Sequence, residues 1–321
     1  MSEDTLTIRI HGADGSVWPV HGDGAGERGV WLSEDQVEGL FSAPIRQAWT
    51  SGAQEIGGRQ EGMWYEVRDL ALGFHVTDSV RPVAVTDALF RQAFVPRLDR
   101  WDHDARSPRI EVQTDLSGSR FLDVLQYDKR DFDPGIDPLV VGYGNPIIPL
   151  RAGQPSYYSD DEVSTFTSTA TSASGTITVS NPGPLPMYHK FVLTRCQATL
   201  PDVSWSGAPG ARVPGIDKLS GRDDSDRMIL CPLLNSTHGG ATIDLEHLIS
   251  NTLMIRDASD QNMLGQMPVP GKFFSYEIPP WTPPTELPVS YTNAPAGGAM
   301  IRCIMPRRWD EPFGGEWMGG Y

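Results

Sequence analysis

Gly24-x-Gly26-x-x-Gly29 matches, as a string, the glycine fingerprint that cradles a dinucleotide pyrophosphate. That chemistry needs a strand before the loop and a helix N-terminus after it to receive the phosphate. Here Trp18-Pro19 lies just upstream, Asp23 and Glu27 would repel phosphate, and a strand-like Val30-Trp31-Leu32 follows. The segment is read as a turn. Asp128, Asp131, Asp133 and Asp137 surround Pro134 and Gly135 and bring carboxylates together as a calcium loop would. The EF-hand spacing is absent, and Asp and Pro are also what turns use to cap local backbone. A turn is preferred over bound calcium.

Cys231, His238 and His247 form a Cys/His grouping, but spacings of seven and nine residues do not preorganise a tetrahedral zinc site. Cys196 with His189 would need a shared site for nucleophilic catalysis. Seven positions apart on a strand puts them on opposite faces and about 20 Å apart at roughly 3.3 Å per residue. No G-x-S-x-G elbow and no H-E-x-x-H helix is present. The 41 acidic residues make accidental carboxylate pairs easy, so a glycosidase pair has no specific signal. No catalytic, cofactor or metal residue is assigned, and the chain is read as not an enzyme. Trp64, Tyr65, Trp101, Trp205, Trp281 and Trp309 are large anchors, most of them expected in a core. Trp281 and Trp309 sit in polar, Pro-rich settings and lean toward an interface or a sugar platform.

The elements that would carry these residues are strands. The chain has 321 residues, 39% hydrophobic, with 33 Gly and 27 Pro spread throughout, which points to strands joined by turns in two domains. A formal charge of −15 argues against sequence-specific nucleic-acid binding, which needs a basic footprint. The 4 Lys and 22 Arg read as a GC-rich coding bias. No apolar run approaches twenty residues, so no membrane span is expected, and MSEDTLTIRI does not read as a secretory signal. Cys196, Cys231 and Cys303 are odd in number and far apart, as suits buried thiols in a reducing compartment.

Leu6–Ile10 alternates as a strand, and His21–Gly29 reads as a glycine-rich turn. Ser33 with Gln36 makes a capping box for a short helix whose apolar face is Val37, Leu40 and Phe41. Residues 51–62 read as a mobile loop or arm tip. Tyr65–Val76 and Phe121–Tyr127 read as strands, and Asp87–Phe94 as a short helix with Phe90 and Phe94 on one side. Pro146, Pro149, Gly153 and Pro155 mark a boundary. Ser164–Ser174 is either an edge strand or a linker. Strands are then expected at Thr176–Ser180, Lys190–Thr199, Asp202–Ser206, Arg227–Cys231, Ala241–Leu245, Thr252–Arg256, Lys272–Ile278 and Met300–Met305, a pattern of a sandwich or barrel. The closing RRWDEPFGGEWMGGY has too little aliphatic content for a core element, although Trp309, Phe313, Trp317 and Tyr321 could dock on a neighbour.

Ser119–Asp160 contains Phe132, Pro134, Asp137 and Pro138, then Leu150, Ala152, Gly153, Gln154 and Pro155; Asn181-Pro182-Gly183 follows. In this order and spacing the chain resembles the distal tail family, minor tail proteins of long-tailed (siphovirus-type) phages of actinobacteria. The resemblance covers most of the chain, more weakly residues 1–30 and 206–230. Pro184 stands where an acidic residue is expected, and 206–226 looks like an insertion. The resemblance implies a mainly β protein: a ring-forming N-terminal domain over 1–155 with one or two short helices and an arm in the 45–75 region, a galectin-like β-sandwich over 156–306, and a tail over 307–321. It implies a structural virion protein of the tail tip, assembled in the host cytoplasm. A homo-hexameric ring would join the tail tube to the tail-tip complex and pass DNA through its bore. Implied partners are the tail tube protein and the tail-tip hub, with the tape measure protein and receptor-binding or fibre proteins as further candidates. Six copies carry roughly 90 formal negative charges, which would repel DNA from a bore wall. The alternative is a host-surface carbohydrate- or receptor-binding module.

Overall fold

The computed structural model describes residues 5–131, 135, 137–246 and 254–317. The chain divides into two units: Met1–Ser159 with Trp309–Gly315, and Asp160–Arg308 with Glu316–Tyr321. It is mainly β, 46% strand against 6% helix, which decides for the sheet-based reading.

The first unit carries β1 (Thr7–His11), β2 (Val17–His21), β3 (Val30–Glu38), β4 (Ile45–Thr50), β5 (Arg59–Tyr65), β6 (Arg68–Thr77) and α1 (Val83–Gln92). It continues through β7 (Arg109–Thr114), β8 (Gly118–Asp123), β9 (Leu125–Gln126), α2 (Pro138–Val141), β10 (Tyr143–Gly144) and β11 (Ile147–Ala152). One antiparallel sheet runs β2-β1-β7-β8. In the other, β6 is central, with β3 along one edge and β10 and β11 along the opposite one. Period-two alternation builds the core: Ile8 and Ile10, Trp18 and Val20, and Leu70, Leu72, Phe74 and Val76 all point inward. Helix α1 closes over them, with Phe90 edge-on to Trp18 and Phe74 at centroid distances of 5.1 and 4.8 Å. The helix starts four residues before the sequence suggests, after Pro82, and ends at Gln92; Phe90 is buried within it, and Phe94, just beyond its end, is buried too.

Arg68 and Arg120 occupy core-facing positions of β6 and β8, in line with Leu70 and Leu122, and both are fully buried. Arg68 Nη1 donates to the carbonyls of Leu40 (3.1 Å) and Phe41 (3.0 Å), and Nη2 to that of Asp310 (2.7 Å). Its guanidinium lies 5.0 Å from the Tyr157 ring, whose hydroxyl donates to Leu40 O at 2.6 Å. Arg120 stacks 3.7 Å over Trp309 and donates to Glu311 O at 2.9 Å. Trp309, expected at an interface, is therefore a core residue, its Nε1 bound to Ser159 Oγ. Burial lowers the Arg68 pKa and raises that of Tyr157.

The helix expected after Ser33 is a strand. β3 pairs with β6 at Leu32↔Phe74 and resumes at Val37↔Leu72, so four residues bulge opposite Gly73. A Cβ on Gly73 would lie 2.2 Å from Gln36 Oε1, so the bulge fits only over glycine. The strands expected at Tyr65–Val76 and Phe121–Tyr127 are each divided, into β5 and β6 and into β8 and β9.

The second unit takes most of β12 (Tyr157–Ser168), then β13 (Ala173–Asn181), β14 (Lys190–Thr194), β15 (Gln197–Pro201), β16 (Trp205–Ser206), β17 (Val213–Pro214) and β18 (Met228–Leu230). β19 (Gly240–Asp244), β20 (Ile255–Asp257), β21 (Thr282–Thr292) and β22 (Ala299–Trp309) complete it. Two antiparallel sheets, β12-β22-β14-β19-β20 and β13-β21-β15-β18, enclose Phe191, Leu193, Leu200, Ile229, Ile243 and Ile301 as a sandwich. The strand expected over Lys190–Thr199 is two strands in different sheets, because the chain crosses the core at Arg195-Cys196. Ser164–Ser174 is the end of β12, a turn and the start of β13, and β21 is a strand despite Pro283, Pro284 and Pro288. Of Asp202–Ser206 only Trp205–Ser206 is strand, and the part of Thr252–Arg256 before Met254 lies outside the described residues.

Lys272–Ile278 is not a strand. The buried Asp202 carboxylate takes the N–H groups of Ser275 and Tyr276 at 3.0–3.1 Å, and Arg227 Nε lies 3.3 Å away. A side chain thus replaces the ladder; among the described residues only Met187↔Ile278 pairs, and of the alternating Phe274, Tyr276 and Ile278 the first and last are buried and Tyr276 is half-buried. Cys196, Cys231 and Cys303 are free, buried thiols, with burial pushing Cys196 up to about 11 and Cys303 to about 12.

Two predictions test these cores. Arg68→Ala removes the shared donor for the Leu40, Phe41 and Asp310 carbonyls and empties a fully buried site, so urea unfolding should show a loss of about 3–5 kcal/mol. His189 is buried edge-on to Phe191, its Nδ1 has no hydrogen-bond partner among the described residues, and burial alone lowers its pKa from 6.5 to about 4. The folded state holds it neutral while the unfolded chain takes up a proton below about pH 6.5. Its contribution is therefore full above that pH and falls by about 3 kcal/mol as pH drops toward 4. His189→Leu should flatten that part of the pH dependence of the urea midpoint.

Candidate functional site

β4 and β5 form a two-stranded sheet that pairs with no other sheet among the described residues. The register runs from Ile45↔Tyr65 to Thr50↔Arg59, with an irregularity at Ala48/Trp49. Arg46 lies 5.6 Å from the Trp64 ring, Thr50 Oγ1 donates to Glu61 at 2.7 Å, and Trp49 Nε1 to Gln47 at 3.0 Å. Gly52, Gly57 and Gly58 supply the turn, with Arg59 paired to Glu55 at 3.1 Å. These contacts are solvent-facing and individually weak.

None of the hairpin's apolar side chains is buried. Trp49 is 59% exposed and Ile45 55%, with Met63, Trp64, Val67 and the tip residue Ile56 also in solvent. A lone hairpin is marginal in water, and this one leaves apolar side chains exposed on both faces, Ile45, Trp49 and Met63 on one and Trp64 on the other, as an interaction surface does. Its root is rigid. The chain leaves the core after Leu40 and Phe41, whose carbonyls Arg68 holds, and returns at Arg68 itself. Phe41 meets Phe313 edge-on at 5.7 Å, and Glu66 N–H closes on Pro44 O at 3.0 Å. Of the 45–75 region, in which an arm is expected, residues 45–65 form this hairpin and 68–75 belongs to the core strand β6.

The other sequence candidates are dispersed. Gly24, Gly26 and Gly29 all have φ between 74° and 81° in the β2–β3 turn, as a turn requires. Asp137 caps α2 through Leu139 N–H at 2.9 Å and Asp131 bridges Ile147, while Asp133, with Phe132 and Pro134, lies outside the described residues. Cys231 is in the sandwich core and His238 is in a loop; His247 lies outside the described residues. Cys196 and His189 sit at opposite ends of β14. Asn181 of the N-P-G turn is buried, donating to the carbonyls of Leu185, Ile278 and Pro279. Trp64 and Trp101, expected in a core, are exposed, and Trp205 is half-buried against the sandwich core. Trp49, Ile45 and Met63 were not singled out; the alternation Ile45-x-Gln47-x-Trp49 beside a polar glycine loop is their only signal.

The fold is mainly β and in two units, the first of which carries a hairpin that joins no other sheet among the described residues. No family model matches the chain, and no curated protein sequence matches it. It shares its fold with the Dit protein of phage SPP1, described as a paradigm of the hub adsorption apparatus in phages infecting Gram-positive bacteria. That match has a TM-score of 0.52 and 10% identity, over 94% of this chain and 98% of the other. Chains of the phage p2 baseplate in its activated conformation also match at 10% identity, with TM-scores of 0.43 for the calcium form and 0.38 for the strontium form. These cover 96% and 93% of this chain and 99% and 97% of theirs.

Because the hairpin side chains contribute nothing to either core, Trp49→Ser with Trp64→Ser should shift stability by less than about 1 kcal/mol. Differential scanning calorimetry of the double variant checks this.

Proposed function

We propose that this chain is a structural protein of a bacteriophage tail tip, a distal tail protein whose copies close into a ring, six to a turn. The ring joins the tail tube to the tail-tip complex, and DNA passes through its bore. The observation that carries the reading is the unpartnered β4–β5 hairpin, rigid at its root and apolar along its length. An arm that docks on a different surface of the next copy makes a heterologous contact, which closes into a ring when the rotation per step allows. The fold shared with the SPP1 Dit protein supports this role. The tail tube protein and the tail-tip hub are the partners on the two faces, and the tape measure and receptor-binding proteins are further neighbours. Assembly in the host cytoplasm precedes incorporation into the virion. The net charge of −15 per copy favours a bore wall that repels DNA. The role requires no catalysis.

Mass photometry and negative-stain imaging of the full chain test the proposal. Closed rings are expected at micromolar concentration, and Trp49→Ser, Met63→Ser and Trp64→Ser together should shift the population to monomers. A wild-type chain that stays monomeric, or rings that survive the triple substitution, would overturn it.

A further inference from the structure

Trp281 is a bulky residue held in the left-handed region, with φ of 51°. Such a backbone is costly, on the order of 1–3 kcal/mol, and persists only where the surroundings over-determine it. Here Trp281 N–H donates to Gly183 O at 3.1 Å, and its carbonyl accepts from Gly210 N–H at 2.8 Å. Asn181 holds the carbonyls of Ile278 and Pro279 just upstream, and prolines at 279, 280, 283 and 284 stiffen the segment. The strain fixes the direction of one side chain, a partly exposed indole.

A second indole stands beside it. Trp317, 47% exposed, lies with its ring centroid 6.4 Å from that of Trp281 at an interplanar angle of 51°. Its position depends on Gly210, where a Cβ would fall 2.0 Å from Trp317 Nε1 and where φ is 77°. Arg212 is anchored alongside, donating from Nε to Pro280 O at 2.7 Å and from Nη1 to Gly207 O at 3.3 Å. A guanidinium carries five N–H donors, so Arg212 has capacity left for a hydroxyl.

We propose that Trp281 and Trp317, with Arg212 at their side, form a platform in the second unit that binds a neutral oligosaccharide. The electron-rich indole faces take the electropositive C–H face of a sugar ring, and the fixed donor reads its hydroxyls. Magnitude favours a sugar over a protein. Two partly exposed indoles offer at most a few hundred Å², short of the ~800 Å² each side of a stable protein interface buries. One or two sugar rings are covered by such an area, and rigid aromatics lose little entropy on binding. The site lies wholly within the second unit and does not depend on ring formation.

Saturation-transfer NMR and calorimetry on the full chain, with cellohexaose, chitohexaose and mannohexaose as probes, test the platform. Binding of at least one probe is expected, weakened at least tenfold by Trp317→Ala and by Trp281→Gly. Glycine relieves the positive φ, so the second variant should fold, which circular dichroism checks. Gly210→Ala, which displaces the Trp317 indole, should weaken binding as well. No binding of any of the three sugars by the folded protein would overturn the proposal. So would sugar binding that survives both tryptophan substitutions, or variants that lose only association with another virion protein. Ring assembly should be unaffected by Trp317→Ala, which separates this site from the hairpin's role.

Discussion

Two fully buried arginines set the constraint from which the first unit is organised. Arg68 and Arg120 stand at positions that strand alternation reserves for core side chains, and burial lowers the Arg68 pKa. What offsets that cost is a set of backbone carbonyls from distant segments: Leu40, Phe41, Asp310 and Glu311. An aliphatic side chain would fill the space but could not satisfy those carbonyls. The guanidinium geometry therefore forces residues 40–41 and 310–311 to converge, and Tyr157 and Trp309 supply the aromatic faces. A segment poor in aliphatic residues is held by cations and ring stacking in place of an apolar stripe.

The same constraint explains how an exposed hairpin can be aimed. Strands that bury nothing have no core to orient them, so direction has to come from the root. Arg68 is the first residue of β6, and its contacts fix the backbone just before β4 as well. The hairpin is thereby held at its base and apolar along its faces.

In the second unit, side chains substitute for backbone ladders where the chain is irregular. Asp202 captures the amides of Ser275 and Tyr276, and Asn181 captures three carbonyls around the Trp281 turn. Arg307 does similar work at β22, donating to the carbonyl and hydroxyl of Ser180 and pairing with Glu162; burial lowers its pKa to about 10. Loops fixed in this way hold unusual backbone, as at Trp281, without regular secondary structure to support it.

Period-two alternation and turn chemistry made the mainly β class, the helix carrying Phe90, the His21–Gly29 turn and most sandwich strands legible in the chain itself. Those are local signals, and local physics decides them. Ser33–Gln36 carries a sound capping box, yet pairing with β6 overrode it, because the bulge needs Gly73 some forty residues away. Lys272–Ile278 alternates like a strand but spends its amides on Asp202. β21 hides behind three prolines, which fall where the strand pairs with β13 alone; β15 joins its other side only at Ser290–Thr292. Likewise, residues 51–62 read as a mobile loop or an arm tip through their glycines, but only the tertiary structure showed Trp49 and Trp64 uncovered and Trp309 enclosed. Sequence alone determined what each segment prefers. Which charged side chain is buried, and which aromatic is left in water, depends on groups far apart in the chain meeting in space.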